Sequence, residues 1–453
     1  MFVTLKPMEV IIDTWSLLTD AGIAGILLLL AKMLRTNVQL LQRLFIPTAL
    51  LAGLMGLILG RSGFGLVNLS EMASTYSGLL ICIVFAAIGL ITKFPKFDDL
   101  IHRTGRLWAF NQIIILGQWI VGVGFGVLII PIIFPDLSPA FGLIMPAGFM
   151  GGHGTAAGLG DTLATLGWED ALSLGLTSAT FGVFLAVLGG MLIINICARL
   201  GLLKDVSRFE ELDEHVRRGL TPAEHRDSVG DETVASSSIH VFTFHISLIA
   251  GVTFIGYLLA NLANQNLTFI SVPVFACCFL VGCITRFVVQ KLGFFEHFDE
   301  RLISSTASSA TDFLIFFGIS SIQLAVLISN ALPFAVMMAI GILFCVFLVI
   351  FVAPRVLGAD WVDRAIFSWG WMTGTVALGI LLLRVCDPKN KSHVLDDYAI
   401  SYVPGSVADI ILISFVPSFV MMGYGLPVLG ALLAAIAAVL LIFWVFIRPV
   451  SHR

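Results

Sequence analysis

Residues 145–161 read MPAGFMGGHGTAAGLGD, a run in which six of seventeen residues are glycine, with His153, Thr155 and Asp161 among them. Long apolar segments flank it on both sides. Glycine is a poor helix former, and irregular backbone at membrane depth is tolerated only when protein or a watery cavity receives its polar groups. Such a run is therefore expected where two half-helices meet and leave backbone groups free at a tip. A helix-packing motif is the competing reading, since small residues let spanning helices approach closely.

The rest of the chain is built for lipid. Of its 453 residues 58% are hydrophobic and 12% are charged, against about 25% charged in a soluble domain. Apolar segments of roughly 18–25 residues, the length that crosses a bilayer, recur from one end to the other. An all-α polytopic membrane protein is the expected class, with the lipid bilayer as its surroundings. The net charge of −4 and the lack of a basic patch interleaved with aromatics argue against nucleic acid as a partner. Lys6, Glu9, Asp13 and Asp20 interrupt the region where a cleavable signal would need an apolar core. The seven cysteines lie in or beside apolar runs without CxxC spacing, which reads as buried, reduced thiols and no metal centre.

Eleven spans are expected, at roughly 13–33, 45–60, 74–92, 107–134, 171–198, 241–261, 268–285, 302–328, 331–353, 398–421 and 428–447. Two further stretches, 139–165 and 367–383, are apolar but short or broken by glycine. With the N-terminus outside and the C-terminus cytoplasmic, all of the 25 Lys and Arg except Lys6 and Arg61 fall on the cytoplasmic side. That is the bias of the positive-inside rule. The polar segment 199–240 is expected to be a cytoplasmic linker with a short amphipathic helix near 205–218.

The linker separates two similar regions, 1–198 and 241–421, and residues 422–453 hold one extra span and the C-terminus. IPTALLAGLMGLILG (46–60) aligns with VPVFACCFLVGCITR (272–286), placing Pro47 on Pro273 and Gly56 on Gly282. FAAIGL (85–90) aligns with IFFGIS (315–320), and GHGTAAG (152–158) with MTGTVALG (372–379). The halves start on opposite sides, so two inverted-topology repeats of five transmembrane helices are expected. Each carries a re-entrant hairpin: 139–165 dips from outside, 367–383 from the cytoplasm. Secondary transporters with this plan bind substrate near the midplane, where broken helices meet. Half-helix N-termini attract an anionic group, and freed carbonyls attract a cation.

Intramembrane polar residues supply the other candidates. Asp409 and Asp312 each lie well inside a span, where a carboxylate is costly and points to ion or substrate binding. Thr180 is a further candidate for the cation and His153 for titration or substrate binding; the competing readings are that a helix threonine commonly bonds its own backbone and that a tip histidine holds the turn by hydrogen bonds. Asn111 and Gln112, near the start of the fourth span, are further candidates. No HExxH or GxSxG motif is present, so an intramembrane enzyme is not expected. The paired glycine motifs do not form the ring of repeated filters that a channel uses.

At these residues the chain resembles the glutamate:sodium symporter family. GGHGT (151–155) is similar to that family's first hairpin signature. FAAIGL (85–90), ATFGV (179–183), Ile46-Pro47 and the VP…DI of 403–410 are similar to its patterns at corresponding positions. The resemblance implies an elevator-type secondary transporter, dimeric, in a bacterial cell or inner membrane. It implies symport of glutamate or a related small organic anion, with sodium as coupling ion and no other cofactor. Carried over residue by residue, it points to Gly151, Gly152, His153, Gly154, Thr155, Gly374 and Thr375 for substrate and to Asp409 for sodium. Two positions depart from the family: MTGTVALG replaces a GxGATPTA-like second signature, and Leu412 stands where the family tends to carry Asn. Another carboxylate, proton coupling, and a transport-inactive sensor or scaffold are the alternatives these departures leave open.

Overall fold

Proline decides where two of the helices begin. Pro47 and Pro273 each stand just before a helix with nearly the same backbone, φ −59° and ψ 140° against φ −67° and ψ 140°. The ring fixes φ and lacks the N–H that a first helical turn cannot use anyway. The structure, a computed structural model, describes residues 14–44, 46–93, 104–203, 218–226, 228–266, 272–358, 361–387 and 392–447. The amphipathic helix expected near 205–218 lies outside these residues except at its last position. So do Lys6, Lys96, Arg103, Lys204, Arg208, Arg217, Lys389, Lys391, Arg448 and Arg453 of the charge count.

Among the described residues every regular element is helical. Numbering the helices of seven residues or more, the N-terminal part holds α1 (Thr14–Asn37), α2 (Thr48–Leu59), α3 (Tyr76–Ile91), α4 (Gly105–Gly124), α5 (Ile144–Met150), α6 (Gly152–Thr165) and α7 (Ala171–Arg199). After the linker come α8 (Val241–Asn266), α9 (Val274–Lys291), α10 (Glu300–Ser320), α11 (Ala331–Phe347), α12 (Trp361–Thr373), α13 (Val376–Cys386), α14 (Val394–Met421) and α15 (Gly425–Ile442). Among the described residues eight helices are long and apolar enough to cross a membrane, where eleven spans were expected. The other three expected spans appear as shorter apolar helices: Thr48–Leu59, Thr75–Ile91 and Val407–Met421, the last being the apolar end of α14. At 1.5 Å per residue a twelve-residue helix spans less than a hydrocarbon core, so length sets α2 and α3 apart from full spans; α14 has 28 residues, and Asp396, Asp397 and Asp409 confine its apolar stretch to one end.

A second proline effect occurs twice. The helix of α4 widens into a π turn at Phe125–Ile129 and resumes at Ile130–Ile133, with Pro131 in its first turn. The helix of α11 does the same at Leu348–Val352 and resumes at Ala353–Val356, with Pro354 in its first turn. Proline cannot donate to the carbonyl four residues back, and a π turn absorbs the mismatch without ending the helix.

The helices pack in two groups. One contains α1–α3 and α8–α10; the other contains α4–α7 and α11–α14, with α15 laid on α4. α6 touches α3 and α10 across the divide. Within the first group glycines set the spacing. A Cβ on Gly282 of α9 would stand 3.0 Å from Gly89 Cα and 2.6 Å from the Ala86 carbonyl of α3. A Cβ on Gly56 of α2 would stand 3.1 Å from Ser320 Cβ of α10.

Buried charges in this group are structural. The Asp20 carboxylate accepts from Ser70 N at 2.8 Å, Ser70 Oγ at 2.5 Å and the Tyr76 hydroxyl at 3.0 Å. Arg286 donates to the Leu90 carbonyl at the end of α3 and pairs with Glu300 at 3.1 Å. The described end of the linker is tied to the bundle: Lys32 donates to the Gly219 carbonyl, and Asp231 N donates to Asp299 Oδ2 at 2.5 Å.

Replacing Gly282 by Ala should lower thermal stability by about 1–3 kcal/mol, the usual cost of overpacking a tight contact. Gly25→Ala, where a Cβ meets nothing within 4 Å, should be neutral or slightly stabilising through helix propensity. Melting of both variants in detergent decides the point; equal midpoints would remove the close α3–α9 contact from the account.

Candidate functional site

The opening run resolves into two kinds of glycine. Gly148, Gly158 and Gly160 are packing positions: a Cβ would meet Ala179 N at 2.7 Å, Phe275 Cε1 at 2.8 Å and Leu172 Cα at 2.5 Å respectively. Gly151, Gly152 and Gly154 do something else. The helical ladder stops at Gly151 between α5 and α6, and Gly152 adopts φ +62°, a conformation costly for residues with a Cβ. The Thr155 hydroxyl holds the break together, lying 2.5 Å from the Ala147 carbonyl and 3.2 Å from that of Gly152. His153, buried at 3% exposure, places Nε2 3.1 Å from Thr180 Oγ1. Among the described residues its Nδ1 has no hydrogen-bond partner.

A second break lies between α12 and α13, at Gly374–Thr375. The amides of Gly374 and Thr375 both donate to the Gly370 carbonyl at 3.1 Å. Thr375 then caps α13, its side chain accepting from Leu378 N. The two helices return close against each other, for a Cβ on Gly370 would stand 2.5 Å from Gly379 N. From α4, Gln118 donates to the Met372 carbonyl at 2.7 Å, binding one of the carbonyls that the end of α12 frees. The observed unit, 361–386, is longer at both ends than the 367–383 expected from sequence.

The two breaks meet. A Cβ on Gly152 would come 3.1 Å from the Gly374 carbonyl and 3.3 Å from Thr375 Cγ2. Around them lies a cavity of about 230 Å³, lined by Gly151, His153, Gly154, Thr155, Gly374, Thr375 and Asp409. Ile81, Val84, Phe85 and Ile88 of α3 line its other side, with Thr311, Leu314 and Ile315 of α10. The first turns of α6 and α13 therefore start at this cavity, with unconsumed backbone N–H groups and the positive ends of both helices. Asp409 adds the one charged side chain in the described lining, and it forms no ion pair with a described residue. The Trp119 indole lies beside its carboxylate, although Nε1 makes no hydrogen bond of good geometry.

Other expected site residues fall elsewhere. Asp312 neighbours the lining residue Thr311, yet its own side chain is exposed and outside the cavity. Thr180 stands behind His153 and donates to the Leu176 carbonyl at 2.9 Å, as helix threonines do. Asn111 donates to Ser401 Oγ at 3.2 Å, a buried link between α4 and α14. Gln112 lies near Gly405. Sequence reading missed Gln118 and the α3 and α10 walls. The i, i+3, i+4, i+7 spacing of 81, 84, 85 and 88 was visible, but an apolar stripe inside a span looks like any other core face.

A family model described as sodium/glutamate symporter matches residues 14–380. The chain belongs to the sodium/glutamate symporter family. The match begins at the first residue of α1 and ends within α13, so both breaks lie inside it and Asp409 lies beyond it. Comparison with curated proteins returned no match. Membership makes this an integral, multi-pass transport protein of the symporter class, with sodium as the family's coupling ion.

The geometry ranks the tip glycines. Gly152→Ala should cost roughly 1–2 kcal/mol from its left-handed φ, in addition to crowding Gly374. Gly154→Ala meets only the flexible Ile81 Cδ1, at 3.0 Å, and should cost less. Gly53, which looks like an ordinary span glycine in the sequence, is a poor control because its Cβ would stand 2.8 Å from Ile319 Cβ. Gly25→Ala serves instead. Thermal midpoints of the three variants check the order, and a Gly154 variant as damaged as the Gly152 variant would contradict it.

Proposed function

We propose that the chain is a sodium-coupled symporter for a small carboxylate-bearing substrate, glutamate or a related organic anion, held where the two helix breaks meet. The observation that carries this reading is the convergence of both breaks and Asp409 on one cavity. A carboxylate fits the amide ends of α6 and α13, where fixed N–H donors and helix dipoles favour negative charge. A hard cation such as sodium prefers oxygen ligands, and Asp409 with the freed carbonyls of the tips offers them.

The reading includes two inverted repeats with re-entrant hairpins at 139–165 and 361–386. It draws support from the Pro47 and Pro273 helix starts, the paired π turns before Pro131 and Pro354, and the reciprocal contacts of Gly56 with α10 and Gly282 with α3. The division of the helices into two groups, with the cavity between them, suits an elevator in which the group bearing both breaks moves past the other. The homodimer and the outside N-terminus belong to the same proposal.

Asp409→Asn tests the site. Asn keeps the shape and one acceptor oxygen but removes the charge. Reconstituted variant should insert and melt near wild type, yet take up substrate at least tenfold more slowly at low sodium. Unchanged sodium dependence would assign Asp409 a purely structural role. Orientation is checked separately with single cysteines at exposed Glu224 and Gln265, which membrane-impermeant reagents should label from opposite sides; labelling from one side ends the inverted-repeat reading.

A further inference from the structure

We propose that a second cavity, where α6 faces α3, α8 and α9, binds an organic ammonium ion with an apolar body. Asp161 ends the opening run and is not among the residues lining the cavity at the breaks. It lines instead a cavity of about 500 Å³, with Leu79 and Ile83 of α3, Phe254 and Tyr257 of α8 and Val274 of α9. The two cavities have no described lining residue in common.

Asp161 is the one charged side chain in the described lining. Its carboxylate lies against α3, since a Cβ on Gly78, which lines the same cavity, would stand 3.3 Å from Asp161 Oδ1. Among the described residues it accepts no hydrogen bond and forms no ion pair, and it is exposed, so a ligand can reach it. Two polar neighbours in the lining spend their protons on their own helices. Thr253 Oγ1 donates to the Ile249 carbonyl at 2.8 Å, and Cys82 Sγ donates to the Gly78 carbonyl at 3.2 Å. A carboxylate set among apolar side chains of a membrane protein is costly, and such groups mark binding sites.

The rest of the lining selects the kind of cation. A hard metal ion takes about six oxygen ligands, whereas here one carboxylate faces side chains made mostly of carbon. An ammonium group needs only a charge-assisted hydrogen bond to Asp161. Phe254 and Tyr257, both exposed on α8, offer aromatic rings that attract a cation. Leu79, Ile83 and Val274 receive an apolar body, which gains from leaving water. The volume lies within the roughly 300–1,000 Å³ of small-molecule pockets. The cavity also crosses the divide between the two helix groups: α6 belongs to the group bearing the breaks, and α3, α8 and α9 belong to the other. If the groups slide past each other, an occupant touching both holds them in one relation and slows transport. That consequence rests on the elevator reading above; the binding site does not.

Thermal stabilisation of the full chain in non-ionic detergent, which grows with ligand concentration relative to Kd, tests the site with three probes of one shape at neutral pH. 4-Phenylbutylamine should half-saturate at concentrations at least tenfold below 4-phenylbutanol and 4-phenylbutanoate. Asp161→Asn should raise the amine's value at least tenfold and leave the alcohol's unchanged. If that variant does not fold, the wild-type series alone decides. Equal responses to the three probes, no response to the amine, or an Asp161 variant that keeps the amine preference each overturn the inference. In vesicles that take up substrate, the amine should lower the maximal rate without raising the substrate concentration at half-maximal rate. Binding with unchanged uptake overturns the hold on the two groups and leaves the ammonium site standing. Vesicles that take up no substrate even without the amine count against the symport reading instead.

Discussion

A backbone that leaves the helical ladder inside an apolar body must hand every freed N–H and C=O to another partner, and this structure depends on that constraint. It is met piece by piece. Thr155 reaches the Ala147 carbonyl, Gln118 reaches the Met372 carbonyl, and Thr375 caps α13. The residues at both breaks line one cavity. A helix end must be satisfied by protein, water or ligand, and that demand sets the polar contacts at both breaks.

The same constraint explains how glycine is used. Half of the opening run's glycines let α5 and α6 press against the backbone of α7 and the Phe275 ring of α9. The other half turn the chain and leave room at the tip. Close packing and the turn at the break thus fall to different residues of one glycine-rich run, and each needs the other. Without close packing, the tip amides would not be held against a second break from a distant part of the chain.

Elsewhere polar groups are placed for support. Asp20 is saturated by Ser70 and Tyr76, and Arg286 closes the end of α3 while bridging to Glu300. Neither borders the cavity at the breaks. Asp409 contrasts with both, since it borders that cavity and has no ion-pair partner among the described residues. A carboxylate in apolar surroundings without such a partner is the pattern that marks function in membrane proteins.

The sequence by itself determined the class, the order of the helices, both breaks and most of the polar lining. These are local matters: hydrophobic run length, proline at a helix start, and glycine where a ladder must stop all act within a few residues. The span count was less legible, because α2 and α3 are apolar throughout yet hold only 12 and 16 residues. Only the tertiary structure decided that Thr180 backs His153, that Asp312 points away from the cavity its neighbour Thr311 lines, and that Gly53 is crowded while Gly154 is nearly free. It alone turned the stripe of Ile81, Val84, Phe85 and Ile88 from one more core face into a wall. The physical reason is direction and company: residue type and spacing say which side chains share a helix face, but what that face meets is set by helices brought together from hundreds of residues away.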